Sequence, residues 1–69
     1  MKLSARNVLK GKVKSVDIGA VNAEVIIEIA PGIEIASIIT KKSCQNLGLE
    51  KGKEAYAVIK ASNVMMGVD

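Results

Sequence analysis

Two short polar stretches stand near the ends of the chain. Ser4-Ala5-Arg6-Asn7 precedes the first apolar run, and Lys60-Ala61-Ser62-Asn63 follows the last long one. Each sets a small hydroxyl residue close to a permanent or near-permanent cation, beside an Ala that leaves the backbone accessible. Such a set suits a small tetrahedral oxyanion, which accepts hydrogen bonds through every oxygen and donates none, so its site is rich in donors and free of carboxylates. Arg6 offers a planar fork of N–H groups and Lys60 a compact charge. Ser4 and Ser62 offer hydroxyls, and Ala5 and Ala61 leave N–H groups unobstructed. Thr40 and Ser43 add two hydroxyls at the start of an expected helix, where the dipole and unpaired N–H groups favour an anion. Plain structural readings stand beside this one: Ser4 and Asn7 as the frayed start of a strand, Ser62-Asn63 as a turn, Thr40 as a cap with no ligand.

Other chemistries find less support. There is no His, so general acid-base work would fall on Glu or Lys, and Glu24, Glu28 and Glu34 sit at the alternating strand positions of a solvated face. Cys44 lies in the first turn of the expected helix near Lys41 and Lys42, where a thiolate is stabilised. Its bland reading, a small buried helix residue, is the preferred one. No cluster of Cys or His has ligand spacing, so no bare metal cation and no resident cofactor is expected. Nucleic-acid binding normally stacks bases on aromatic side chains, and Tyr56 is the only aromatic residue here. Arg6 is also the only Arg, which leaves one donor for bidentate guanine readout. The stripe Lys10, Lys12, Lys14 reads as a solvated strand face that discourages edge-to-edge aggregation.

The elements that must position these residues are mostly strands. Leu9, Gly11 and Val13 share one parity and Lys10, Lys12 and Lys14 the other. Val16 and Ile18 then continue the apolar pattern on the lysine side, which implies a bulge or coil near Lys14-Ser15 in one long strand from Asn7 to Ile18. Gly11 eases the same bend. Gly19-Ala20 is a tight connection. The second strand alternates Val21, Ala23, Val25, Ile27 and Ile29 with Asn22, Glu24, Ile26 and Glu28. Ala30-Pro31-Gly32 predicts a hairpin turn into a third strand, with Ile33, Ile35, Ser37 and Ile39 on one face. Ile26, Ala36 and Ile38 make the second face of that hairpin apolar toward one end, where a subunit interface is expected. Thr40 to Leu49 predicts a single short helix with Thr40 as N-cap and Gly48 as the residue that ends it. Glu54 to Lys60 alternates again, and Val64 to Val68 predicts a short last strand. The fold expected is mainly β: an OB-like five-stranded, partly open barrel with one short helix between strands 3 and 4.

Length and composition bound the rest. The 69 residues make one expected domain, 1–69. A chain of this size buries only about 60% of its unfolded surface, and such chains recruit disulfides, metals or partner subunits. The single Cys44 cannot form an internal disulfide, so oligomerisation is the remaining route. The 49% hydrophobic content, almost all aliphatic, asks for cover on both strand faces. No apolar run approaches the roughly 18 residues of a membrane span and the N-terminus has no apolar signal core, so a cytoplasmic protein is expected. Ten Lys and Arg against seven Asp and Glu give a net charge of +3, which favours anionic partners without choosing among them.

The motifs also carry a resemblance. Ser-Ala-Arg-Asn followed by Leu-Lys-Gly-Lys-Val, then Ala-Glu-Val, Ile-Thr-x-x-Ser, Leu-Gly-Leu-x-x-Gly and Ala-x-Val-Ile-Lys-Ala-Ser-x-Val-Met, in that order, resemble the molbindins, the Mop-type molybdate-binding proteins of the TOBE/Mop family. The likeness runs from Ser4 to about Val68. It implies an OB-like barrel, a homohexamer built as a trimer of dimers, and cytoplasmic storage or buffering of molybdate, with tungstate as a close competitor. It implies no enzymatic activity. By motif, Ser4, Ala5, Arg6, Lys60, Ala61 and Ser62 would come from one subunit, and Thr40 and Ser43 from a neighbour. A candidate second site, near a threefold axis in the family, falls at Gly19, Ala20 and Val21. The rival readings are a small basic OB-like nucleic-acid-binding module and a purely structural assembly domain.

Overall fold

The computed structural model describes all residues, 1–69. It contains four strands and one helix, β1 (Asn7–Ile18), β2 (Asn22–Ala30), β3 (Ile33–Thr40), α1 (Lys41–Leu47) and β4 (Glu54–Ile59), followed by a 3-10 turn over Ala61–Asn63. The strands form one antiparallel sheet in the order β3-β2-β1-β4.

The long strand β1 serves two partners because it bends. Its first half pairs with β4, from Asn7 opposite Ile59 to Lys12 opposite Glu54. Its second half pairs with β2, from Lys12 opposite Glu28 to Ile18 opposite Ala23. The register slips between Val13 and Ser15, where the parity of the apolar residues changes. The bulge turns Val13 inward on one side of the slip and Val16 on the other, so both reach the same core. The start of β4 is tied to this point, Val13 N–H donating to Lys53 O (2.9 Å) and Gly52 N–H to Val13 O (2.8 Å). Pro31-Gly32 turns β2 into β3, Gly32 taking φ +76°.

Helix α1 is set by its caps. Thr40 Oγ1 accepts from Ser43 N–H at 3.0 Å, satisfying one of the free donors of the first turn. Gly48, at φ +63°, ends it. Gly48 N–H bonds Gln45 O and Leu49 N–H bonds Cys44 O, the paired bonds of a Schellman ending. Lys53 Nζ donates to the last carbonyls, Leu47 O and Gly48 O, at 3.0 and 3.1 Å. The helix lays Cys44 into the core formed by Val13, Ala23 and Val25.

Val64 to Val68, expected as a fifth strand, is not a strand. A strand exists through its ladder. After Ile59 the 3-10 turn takes the chain off the sheet, and no strand of the same chain lies beside it. The molecule is therefore mainly β, as expected, but a curled four-stranded sheet in place of the partly open five-stranded barrel. Only five residues are buried. A groove of about 550 Å³ opens beside the core, lined by Ile35, Ile39, Leu47, Ala57 and Ile59 among others. No helix is long and apolar enough to cross a membrane.

Candidate oxyanion site

Arg6 is the last residue before β1, and Lys60 the first after β4. Because Asn7 lies opposite Ile59, the two cations leave the sheet at the same end, each one step beyond the final pair. Ser4, Ala5 and Arg6 then face Lys60, Ala61 and Ser62 across a concavity of about 630 Å³, which Val58 and Asn63 also line. The two terminal stretches, apart in sequence, thus form one surface.

The local backbone adds donors. In the 3-10 turn Asn63 N–H bonds Lys60 O (2.9 Å) and Val64 N–H bonds Ala61 O (3.2 Å). The N–H groups of Ala61 and Ser62, which open the turn, have no acceptor within it. Their small side chains leave those groups open to a ligand.

The charges fit the same chemistry. No carboxylate lines the concavity. The ion pairs of the molecule are elsewhere, Lys10 to Glu54 at 3.3 Å and Lys14 to Glu34. The Glu34 carboxylate, by its hydrogen bond and then its charge, raises Lys14 above the ordinary 10.5, with Glu28 adding to it. Two members of the lysine stripe are thus engaged by acids of the sheet surface, whereas Arg6 and Lys60 are in no ion pair.

Thr40 and Ser43 lie elsewhere. Thr40 pairs with Asn22, beside the far end of β1. The twelve residues of β1 separate that end from Arg6, about 40 Å along the bent strand at about 3.3 Å per residue. There Thr40 Oγ1 donates to Ser43 Oγ at 2.8 Å. The loop Gly19, Ala20, Val21 is at the same end, held to the helix start by Lys41 N–H donating to Val21 O at 2.8 Å. The expected residues therefore fall into two groups at opposite ends of β1. Val58 and Asn63 were missing from the expected set. Asn63 is legible only as the tail of the Lys60 stretch, and Val58 carries no chemical signal at all.

The TOBE domain family matches residues 3–66. A probable molybdenum-pterin-binding protein of Haemophilus influenzae is 54% identical over 69 residues, all of both chains. The solved structure of MopII from Clostridium pasteurianum, in an apo form, superposes with a TM-score of 0.90 at 48% identity, over 97% of this chain and 100% of that one. The cytoplasmic molybdate-binding protein ModG, solved with molybdate bound, superposes with a TM-score of 0.94 at 54% identity, over 100% of this chain and 49% of that one. A family match over nearly the whole length, joined to full-length relatives, settles the affiliation: the chain belongs to the TOBE domain family, among its Mop-type members, the molbindins.

Proposed function

We propose that the protein binds molybdate, and tungstate as its close competitor, reversibly and without redox or covalent chemistry. The observation that carries this is the convergence of Arg6 and Lys60, neither in an ion pair, with hydroxyls and open N–H groups in one carboxylate-free concavity. Hydrogen bonds to a charged group contribute about 1.5–3 kcal/mol each, so about four of them reach the ~8 kcal/mol of a micromolar complex. Relatives are named for a molybdenum-pterin ligand, and ModG holds molybdate. The bare oxyanion is the better fit here, because the concavity has no aromatic face on which a pterin ring would stack.

The site is completed between subunits. Thr40 and Ser43, too far along β1 to reach Arg6 of their own chain, come from a neighbour, and the adjacent Gly19, Ala20 and Val21 form a second anion site. The assembly is a homohexamer, a trimer of dimers. What supports it is the small core, the open apolar groove, and the exposure of Ile38 (64%), Met65 (93%) and Val68 (99%). Within it Val64 to Val68 becomes the fifth strand of an OB-like barrel. The whole chain, 1–69, acts as one binding domain. It serves cytoplasmic storage and homeostasis of the anion, not catalysis, and neither a cofactor, a membrane nor a nucleic acid takes part.

One calorimetric titration series tests this, with molybdate, tungstate, sulfate and a single-stranded oligonucleotide. Saturable binding of the first two, with sulfate much weaker, is expected. Salt-sensitive binding of the oligonucleotide alone would favour the nucleic-acid module, and no binding at all a structural assembly domain.

A further inference from the structure

We propose that Asn7 is a positioning residue for the oxyanion pocket, its side-chain amide holding Arg6 and Lys60 at the spacing from which both address one anion. The inference rests on the oxyanion reading above.

Arg6 and Lys60 stand just outside the last pair of the β1–β4 ladder, both exposed. Strand ends are the least stable parts of a sheet and open first. Here two like charges sit on the free side of that end, neither in an ion pair. One bond outside the ladder opposes its opening. Asn7 Nδ2 donates to Ile59 O at 3.3 Å, joining the residue after Arg6 to the residue before Lys60 across 52 positions of sequence. Asn is a poor strand former, yet it opens β1, half-buried, where Ser4 and Arg6 before it are exposed. Asn7 does not line the concavity, so it acts through its neighbours.

Holding the cations apart and ready lowers the ordering cost of binding. It also bears on selectivity. Sulfate has the charge and shape of molybdate but is smaller, so a pocket of fixed width rejects it for want of contact, whereas a loosened pocket closes on either anion. Loss of the Asn7 amide therefore weakens molybdate binding more than sulfate binding.

The test is titration of the assembled protein with molybdate and with sulfate, comparing wild type, Asn7→Ala and Asn7→Ser, with light scattering and thermal melts alongside. Asn7→Ala is expected to lose about tenfold in molybdate affinity, ~1.4 kcal/mol, and to narrow the molybdate-to-sulfate ratio at unchanged assembly. Asn7→Ser, which keeps a small donor, recovers part of both. Molybdate affinity within about twofold of wild type, or equal losses for the two anions, overturns the assignment. If Asn7→Ala does not fold, Asn7→Ser is held to the same ratio, and unfolding of both variants also overturns it, since Asn7 then serves the whole fold. Wild-type protein that binds no molybdate overturns the oxyanion reading itself, which separates that failure from a failure of Asn7 alone.

Discussion

Gly11 lies against the backbone carbonyl of Glu28, so close that a Cβ on Gly11 would collide with it. The contact marks the handover of β1 from β4 to β2, one residue before Lys12, which is opposite both Glu54 and Glu28. We expect Gly11→Ala to destabilise the fold by about 1–3 kcal/mol, the usual cost of forcing an extra carbon into a packed place. A melting temperature equal to that of the wild type would mean that the strands part freely at the crossing.

Arg6→Ala and Lys60→Ala should each weaken molybdate binding by about tenfold to a hundredfold, the loss of one charged hydrogen bond of about 1.5–3 kcal/mol. Both residues are exposed and in no ion pair, so the melts should barely move. Calorimetry that finds wild-type affinity in both variants removes them from the site.

Thr40 and Ser43 can be separated. The cap bond runs from the Ser43 backbone N–H to Thr40 Oγ1 and does not need the Ser43 hydroxyl. Ser43→Ala should therefore leave stability nearly unchanged and weaken molybdate binding. Thr40→Ala should do both, losing about 1 kcal/mol with the cap. Melts and titrations of the two side by side check this, and unaltered binding in both would take the helix start out of the neighbour's contribution.

Ile38 projects from the hairpin beside Glu24, its strand partner, and is 64% exposed. A lysine there should break the assembly while leaving the hairpin paired. Light scattering should report a hexamer for the wild type and smaller species for Ile38→Lys, with molybdate affinity falling together with size. A wild-type monomer at micromolar concentration would end any site shared between subunits.

Local features were legible because their causes are local. The change of parity after Lys14 announced the bulge, Pro31-Gly32 the hairpin, and Thr40 with Gly48 the two ends of α1. Features that depend on distant partners were not. Val64 to Val68 has the composition of a strand, but nothing in those residues says whether a ladder partner exists. Gly11 read as a residue easing a bend, whereas its position is fixed by a carbonyl on another strand. The site was half legible: residue types gave the donors, while their meeting depends on the pairing of Asn7 with Ile59.

That pairing sets when the site can exist. A chain that ends before Ile59 still contains β1, β2, β3 and α1, with the hairpins that close quickly, but it has no pocket. Joining the two stretches closes a loop across 52 positions of sequence, the kind of contact whose entropy cost delays it in folding. During synthesis the anion can therefore be held only after the last stretch has left the ribosome. Because the proposed site also takes residues from a neighbouring subunit, ligand capture would report the arrival of β4 beside β1 together with assembly.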